Sequence, residues 1–371
     1  MPVTSSDLYP VSRLAAVQEA TAKAGLDALL LTPGPDLRYV SGYDAKPLER
    51  LTCLVVPAAA EPYMMVPRLE LPAAEASPAS RLGLEFVAWD ETDDPYRIAA
   101  DRLGPAGRVG LADRMWAMSS LRFREVLPDA EQVLAGTVLR ELRMRKSPGE
   151  VAALREAGAA IDAVHRRVPE FLRAGRTERE VARDIAEAIL ASGHETVDFV
   201  IVASGPNGAS PHHDVSDRVI REGKPVVVDI GGQLHNGYCS DSTRNYCVGE
   251  PPAGYAAYFE VLRRAQEAAC AAVRPGVSCE SIDAAAREVI AEAGYGDYFV
   301  HRTGHGIGIE THEEPYIVAG NGEAMEPGFA FSVEPGIYLP GSHGARIEDI
   351  LVCTGTGGER LNDSPRDLVI I

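Results

Sequence analysis

The sequence has little positive charge. Only four of its 36 basic residues are lysine, and 54 acidic residues leave a formal net charge of −18 at pH 7. This excess argues against an extended phosphate-binding surface, and the arginines form no cluster that would attract an anionic membrane. We therefore expect neither nucleic acid nor a membrane as a partner. Metal cations and small neutral or cationic substrates suit such an acidic protein better.

Long apolar runs and paired cysteines are also lacking. No segment has the roughly 20 apolar residues that cross a bilayer, and the first residues lack the basic start and apolar run of a signal peptide. The six cysteines are dispersed and form no CxxC pair, so neither a disulfide framework nor a zinc knuckle is expected. With 46 % hydrophobic residues the chain can bury a core. We expect a folded, reduced protein in the cytoplasm.

The first part of the chain has the pattern of an α/β domain. Helical spacing over residues 14–24 ends at Gly25. Apolar runs bounded by turn residues predict strands at 26–32, 51–57, 63–66 and 108–111. Alternation of strands and helices indicates a sheet with helical cover.

A domain boundary is indicated near residue 144. Ser147 followed by Glu150 is a capping box, and Pro148 suits the first position of a helix. A long helix should begin there. We therefore predict a first domain over 1–144 and a second over 145–371.

The second part contains a faint internal repeat with an offset of 101 residues. Two amphipathic segments match at Gly175/Gly276, Thr177/Ser278, Val181/Ile282, Ile189/Ile290 and Gly193/Gly294. Amphipathic helices resemble one another, so chance is an alternative explanation. A true duplication predicts two similar α+β halves with a shared site between them.

An apolar strand ending at Asp229 is followed by Asn236-Gly237 and then by Asp241. Asn-Gly is a hairpin turn signal, so the flanking strands should bring the two aspartates close together. Neighbouring strands hold Cβ atoms about 5 Å apart, which suits carboxylates that bind two metal ions roughly 3.5–4 Å apart. Taken singly, either aspartate could instead be a turn or capping residue.

Histidines are concentrated in one glycine-rich segment. His301, His305 and His312 fall within twelve residues of a chain that has nine histidines in all. Glycines let the backbone approach closely, and imidazole is a common metal ligand. A single histidine would more often be structural, but this density favours a site.

Further acids follow in two strand-like segments. Glu334 ends an apolar strand, and the two-residue period of a strand places Arg346 and Glu348 on one face. An acid that points inward from so apolar a strand needs a partner, and a cation is the simplest one.

Together these segments predict a metal site of four carboxylates and one imidazole: Asp229, Asp241, His305, Glu334 and Glu348. Two divalent cations would balance the four carboxylates and leave a bridging water able to become hydroxide. The oxygen-rich set favours Mn²⁺, Co²⁺ or Zn²⁺ over a thiolate-bound metal. The implied reaction class is metal-assisted hydrolysis.

The motifs resemble the creatinase/aminopeptidase-P ("pita-bread") metallopeptidases. The resemblance rests on DIGG…YCSDSTR, HRTGHGIGIETHEEP, FSVEPGIY, GARIED and, in the first domain, TPGPDLRYVSGY…ERLTCLVVP. It implies an α+β fold in which an N-terminal creatinase-like α/β domain precedes a C-terminal pita-bread domain with internal pseudo-two-fold symmetry. Within the family the sequence is most similar to bacterial Xaa-Pro dipeptidases (prolidases). That similarity implies hydrolysis of Xaa-Pro dipeptides with two divalent ions, manganese foremost, by a homodimer.

The resemblance also implies catalytic roles. All five predicted ligands match the family pattern, and Glu334 corresponds to the general base. His212 matches a histidine near the scissile peptide. His301 and His312 match further active-site histidines, with His312 expected to contact the substrate carbonyl or stabilise the oxyanion.

Substrate recognition is implied for two more residues. Tyr338 and Arg346 match residues on the proline side of the pocket, where the arginine binds the free carboxylate of a dipeptide. A bidentate guanidinium fork suits that task. An alternative is that Arg346 instead supports Glu348.

Other functions remain open. Aminopeptidase P uses the same machinery on longer Xaa-Pro peptides, and what separates it from a dipeptidase is how the far end of the pocket is closed. Methionine aminopeptidases lack an N-terminal domain of this type, and creatinase itself is metal-free. A hydrolase or lyase with a non-peptide substrate is a further alternative. A catalytically inactive binding module is another, although such proteins tend to have lost ligands.

Overall fold

The computed structural model describes residues 4–371. It forms two compact units that divide the chain between Arg143 and Met144. None of the helices in this described range has the length and apolar character of a membrane span.

The first unit contains a six-stranded mixed sheet in the order β4-β3-β2-β1-β5-β6. In this sheet β2 runs antiparallel to β1 and β3, and the other neighbouring pairs are parallel. The strands are β1 (Ala28–Leu31), β2 (Cys53–Pro57), β3 (Tyr63–Pro67), β4 (Glu85–Trp89), β5 (Arg108–Leu111) and β6 (Glu131–Leu134). The helices are α1 (Ser5–Leu8), α2 (Val11–Lys23), α3 (Pro35–Ser41), α4 (Leu71–Ala76), α5 (Pro95–Leu103), α6 (Ala117–Val126) and α7 (Gly136–Met144).

All four strands expected in this unit are present, and α2 is the expected first helix. The predicted strands β1, β2 and β3 are buried along their whole length, which is why their sequences are continuous apolar runs. The edge strands β4 and β6 are largely exposed or half-buried, so they carry no such run. Their sequences therefore do not predict them.

The second unit contains four helices, two main sheets and a separate hairpin. The sheet orders are β17-β9-β8-β7 and β11-β10-β12-β15-β16, and the hairpin is β13-β14. The helices are α8 (Pro148–Phe171), α9 (Glu178–Ala191), α10 (Tyr255–Ala272) and α11 (Cys279–Glu292). The strands are β7 (His194–Ser204), β8 (Pro225–Leu234), β9 (Cys239–Cys247), β10 (Gly304–Gly306), β11 (Glu313–Ile317), β12 (Ala330–Val333), β13 (Gly336–Leu339), β14 (His343–Arg346), β15 (Asp349–Cys353), β16 (Gly358–Arg360) and β17 (Val369–Ile370).

The start of α8 confirms the predicted capping box. The Glu150 backbone N–H donates to Ser147 Oγ at 3.3 Å, and the Ser147 N–H donates to Glu150 Oε2 at 2.9 Å. Pro148 occupies the first turn, where a missing N–H costs nothing.

The 101-residue repeat corresponds to two helices of equal length. Both α9 and α11 have 14 residues, with N-caps at Thr177 and Ser278. Thr177 forms a β-bridge with Val219, and Ser278 forms the corresponding bridge with Ala324. Each helix packs in its own hydrophobic core with a longer helix and a sheet. The second unit therefore consists of two α+β halves.

The hairpin predicted at Asn236-Gly237 joins β8 to β9. The Gly237 N–H donates to the Leu234 carbonyl at 2.8 Å, and Gly237 has the positive φ of 91° that such a turn requires. The expectation that β8 ends at Asp229 is wrong, because the strand continues through two glycines to Leu234. A Cβ atom at Gly231 would lie 2.5 Å from the Phe199 ring, so glycine permits this close pairing.

Close backbone approach also surrounds β10. A Cβ atom at Gly304 would lie 1.8 Å from the Ser332 carbonyl oxygen of β12. We expect Gly304→Ala to lower the free energy of unfolding by about 2 kcal/mol, since the neighbouring backbone cannot yield without breaking its pairing. Urea unfolding measures this change. Gly322→Ala is the control, because its Cβ would meet nothing within 4 Å. Equal stability of the two variants would contradict the packing argument.

Candidate active site

A cleft of about 1100 Å³ lies in the second unit. Nine of the ten site residues expected from the sequence line it: His212, Asp229, Asp241, His301, His305, His312, Glu334, Arg346 and Glu348. The tenth, Tyr338, is 3 % exposed and lies beside Arg346, with its hydroxyl 2.7 Å from Nη1.

Strand register explains how the two aspartates converge. In the β8–β9 pair, Gly231 is opposite Asp241 and Asp229 is opposite Thr243. Residues directly opposite each other point to the same face, as do residues two apart on one strand. Both carboxylates therefore point to the same face of the sheet, on adjacent rungs.

The other acids come from strand ends. Glu334 directly follows β12, as expected. The expectation that Arg346 and Glu348 share one strand is wrong, because β14 ends at Arg346 and β15 begins at Asp349. The chain passes between two sheets at this point, and both side chains still line the cleft.

Ligand atoms of these residues form three overlapping groups, within each of which all atoms lie within 4.8 Å of one another. The groups are Asp229–Asp241–Glu348, His305–Glu334–Glu348 and Asp241–His305–His312. Glu348 links the first two groups and His305 links the last two, so the five expected ligands form one cluster. The third group also includes His312, which the sequence places at the substrate rather than at a metal.

His305 is held in the form that binds metals. Its Nδ1 lies 3.1 Å from the Gly306 carbonyl oxygen, so the proton belongs on Nδ1. The Nε2 lone pair then faces Glu334 Oε1 at 3.3 Å and Asp241 Oδ2 at 3.6 Å. Burial, together with nearby His312, holds the pKa of His305 well below its usual value, so the ring is neutral.

The carboxylates destabilise one another in the absence of a cation. Burial and then the charges of Glu348, Asp229 and Glu334 raise the pKa of Asp241 well above its usual value. Burial and then the charges of Glu334 and Asp229 raise the pKa of Glu348 well above its usual value, although Arg346 opposes the shift. Burial raises the pKa of Glu334 to about 7, although Arg346 opposes the shift.

One atom of the cluster lacks any hydrogen-bond partner. Asp229 Oδ1 is buried and unbonded, while its Oδ2 accepts from Arg346 Nη2 at 2.5 Å. A buried carboxylate oxygen without a donor is costly, and a cation is the partner it suits. The residues present therefore fit divalent metal ions.

Arg346 is buried among the acids, with 3 % of its side chain exposed. Besides Asp229 it contacts Tyr338 Oη and the Pro211 carbonyl through Nη1, and Thr243 Oγ1 through Nε. These contacts use four of its five N–H donors. A bidentate fork for a substrate is therefore available only if a contact within the protein opens.

The alternative role of Arg346, support of Glu348, is present in indirect form. Thr243 Oγ1 accepts from Arg346 Nε at 3.2 Å and donates to Glu348 Oε2 at 2.8 Å. The direct contact of Arg346 is with Asp229.

Two of the three predicted non-ligand histidines face the cleft from exposed positions. His212 is exposed on the segment after the 3₁₀ helix Gly205–Ala209, and exposed His312 has its ring centroid 4.0 Å from that of His305. His301 is more enclosed. Its Nδ1 donates to the Arg302 carbonyl at 2.7 Å, and its Nε2 accepts from Tyr338 Oη at 2.8 Å. Burial and then Arg346 lower the pKa of His301 to about 4, so it is neutral.

The motifs alone did not single out Thr243 and Ser332. Ser332 Oγ accepts from the His305 N–H at 3.0 Å and donates to Glu334 Oε1 at 3.2 Å. Each lies two residues from a ligand, Thr243 after Asp241 and Ser332 before Glu334. The two-residue strand period was the signal that could have found them.

Clustered acids and a neutral imidazole at one cleft define a metal-dependent hydrolase. Residues 152–355 match the model of "Metallopeptidase family M24", and residues 13–145 match that of the "Creatinase/Prolidase N-terminal domain". The chain belongs to metallopeptidase family M24. The expected family, fold class and enzyme class are thereby confirmed.

Similar proteins cover nearly the whole chain. "Probable dipeptidase PepE" of Mycobacterium tuberculosis is 56 % identical over 360 residues, which are 97 % of this chain and 96 % of the relative. "Xaa-Pro dipeptidase" of Lactobacillus helveticus is 35 % identical, covering 90 % of this chain and 92 % of the relative. The crystal structure of dipeptidase PepE from Mycobacterium ulcerans matches with a TM-score of 0.92 and 54 % identity, covering 97 % of each chain.

The raised pKa of Glu334 predicts that this carboxyl lowers the free energy of unfolding of the metal-free protein as the pH rises. Between about pH 4.5 and 7 the folded chain retains a proton that the unfolded chain has released, so stability from this carboxyl falls as pH rises. Glutamine has no proton to lose. We therefore expect metal-free Glu334→Gln to gain up to about 3 kcal/mol over the wild type between pH 5 and pH 7.5.

Urea unfolding of both proteins in chelator measures this difference. The lowered pKa values of the histidines make stability rise with pH, opposite to the effect of Glu334. Both proteins contain these histidines, so their effect cancels when the two free energies of unfolding are compared. Saturating divalent metal is the control and should remove the gain. A difference that stays constant with pH would contradict the assigned shift.

Proposed function

We propose that this protein hydrolyses the Xaa-Pro bond of dipeptides. The observation that carries the proposal is the contact between Arg346 and Asp229 inside the cleft. In a dipeptide the scissile carbonyl and the terminal carboxylate are one residue apart. A cation that binds the carboxylate must therefore lie next to the groups that act on the carbonyl. The dipeptidase names of similar proteins support the same substrate class.

The proposed metal ligands are the five clustered residues Asp229, Asp241, His305, Glu334 and Glu348, which would hold two divalent ions. Their four negative charges match two divalent cations, and oxygen-rich sets favour manganese, with cobalt or zinc as alternatives. When bound, such ions act as Lewis acids and lower the pKa of a coordinated water to about 7.

The chain's own groups supply the proton transfers and the orientation. We assign Glu334 as the base whose carboxylate takes the proton of the attacking water and passes it to the proline nitrogen. Burial raises the pKa of this carboxyl to about 7 in the site without metal. His312 and His212, both exposed to the cleft, would donate to the carbonyl oxygen as negative charge develops there.

Substrate orientation is assigned to a chain of hydrogen bonds. Tyr338 Oη accepts from Arg346 and donates to His301 Nε2, which is neutral and can accept. This chain fixes the plane of the guanidinium group. We propose that Arg346 binds the dipeptide carboxylate from this position.

A second function is favoured by the size of the cleft. At about 1100 Å³ it exceeds what a dipeptide fills, so it could accept a longer Xaa-Pro peptide, as an aminopeptidase P does.

The oligomeric state and the cellular location are also proposed. The family resemblance implies a homodimer. The six free cysteines are consistent with a cytoplasmic location.

A paired assay separates the two peptidase functions. Manganese-loaded protein is given Leu-Pro or Ala-Pro in one set and Ala-Pro-Ala in the other. We expect rapid cleavage of the dipeptides and little cleavage of the tripeptide. Preferred cleavage of the tripeptide would establish the aminopeptidase instead. Intact substrates with metal bound would favour a non-peptide substrate.

The role of Arg346 is tested by Arg346→Ala. We expect KM for Ala-Pro to rise by about 10- to 100-fold, because a charge-assisted contact with the carboxylate is lost. Metal content is measured in parallel, since the arginine also contacts Asp229. Arg155→Ala, which removes an exposed arginine paired with Glu359, is the control. An unchanged KM with full metal content would remove Arg346 from substrate binding.

A further inference from the structure

A buried carboxylate outside the cluster of candidate metal ligands accepts several hydrogen bonds from one wall of the cleft. Glu178 is the first residue of α9 and has no exposed surface. It accepts hydrogen bonds from the Ser204 N–H at 2.7 Å, Asn207 Nδ2 at 3.0 Å, His213 Nε2 at 2.9 Å and Ser216 Oγ at 2.6 Å. All of these donors belong to residues 204–216, which we call the wall segment.

The wall segment borders the cleft. Residues 211–215 line it, and the Pro211 carbonyl accepts from Arg346 Nη1 at 3.2 Å. Between the 3₁₀ helix Gly205–Ala209 and the bridge at Val219, the described backbone forms neither helix nor strand. Its position therefore depends on side-chain contacts more than on a hydrogen-bond ladder.

His213 and His212 are adjacent, and both line the cleft. They differ in exposure and bonding, because the His213 side chain is 15 % exposed and donates to Glu178, whereas His212 is exposed. Residues 211–212 form a turn directly before His213. Because the two histidines are neighbours in the chain, holding His213 on Glu178 also restricts where His212 can lie at the cleft.

The hydrogen-bond donors around Glu178 suit a carboxylate, which accepts at both of its oxygens. Backbone, amide, imidazole and hydroxyl donors converge on the two oxygens, and glutamine would place an NH₂ group among them. The N-terminus of α9 favours negative charge at this position. The helix itself does not need the acid, because the matching α11 has Cys279 at the equivalent position and the same length.

We propose that Glu178 is a positioning residue that holds the wall segment so that His212 and the Pro211 carbonyl face the substrate site. The inference rests on the proposed function only in its kinetic part. The anchoring itself does not depend on any substrate.

Hydrogen–deuterium exchange of the manganese-loaded protein tests the anchoring. Glu178→Gln should raise exchange at least about tenfold in residues 204–216 and leave the rest of the second unit unchanged. The matched control is Glu180→Gln. The Glu180 carboxylate lies in the same helical turn as Glu178, but it accepts hydrogen bonds from Thr177 and not from the wall segment. Unchanged exchange in the wall segment, or an equal rise across the unit, would overturn the proposal.

A double-mutant cycle on Ala-Pro hydrolysis tests the coupling to His212. Glu178→Gln should lower kcat/KM by about 10- to 100-fold, as expected when a catalytic group is misplaced. On a His212→Ala background the same substitution should lower kcat/KM by less than about threefold. Losses that multiply would show that Glu178 does not act through His212.

A milder variant covers the case in which Glu178→Gln fails to fold. Ser216→Ala removes one donor and leaves the carboxylate in place, so a smaller rise in exchange is expected in the same segment. No rise there would overturn the anchoring. If the exchange result holds and no Xaa-Pro substrate is cleaved, the proposed function fails while the anchoring stands.

Discussion

The structure of the second unit depends on how four carboxylates, three buried and one half-buried, are kept in one cleft. Burial, and after it the repulsion between neighbouring carboxylates, raises the pKa values of Asp241, Glu334 and Glu348. Folding supplies partial compensation from Arg346, which contacts Asp229 directly and reaches Glu348 through Thr243. The compensation is incomplete, since Asp229 Oδ1 remains buried without a donor. This deficit of positive charge suits divalent metal ions, in keeping with membership of metallopeptidase family M24.

Rigid strands make this concentration of charge possible. Asp229 and Asp241 lie in β8 and β9, Glu334 directly follows β12, and Glu348 directly precedes β15. His305 lies in β10, where glycine lets the backbone of β12 approach. Hydrogen bonds from Ser332 and Thr243 then orient individual carboxylate oxygens. The wall segment differs, because it has no strand partner along its middle and relies on one buried acid, Glu178, for its place. The cleft thus combines a cluster of candidate metal ligands held on strands with a wall whose position depends on a few side chains.

Much of the fold and the cluster could be predicted from sequence because the signals were local. Strands buried along their length produced apolar runs, and Ser147 and Glu150 marked a helix start. Asn236-Gly237 marked the turn between the two strands that bring Asp229 and Asp241 to one face of the sheet. Edge strands β4 and β6 left no comparable pattern. The break between Arg346 and Glu348 could not be predicted, because a change of sheet depends on long-range pairing. The role of Glu178 was hidden for the same reason, since its partners lie 26 to 38 residues away.

The central claim is that the five clustered side chains hold two divalent ions. Anomalous diffraction from crystals of the manganese-loaded protein tests it directly. The account predicts two anomalous peaks about 3.5–4 Å apart, both in contact with the cluster. The peaks would be in contact with Asp229, Asp241, His305, Glu334 and Glu348, the five side chains proposed to hold the ions. A single peak, or no peak among these residues, would contradict the account.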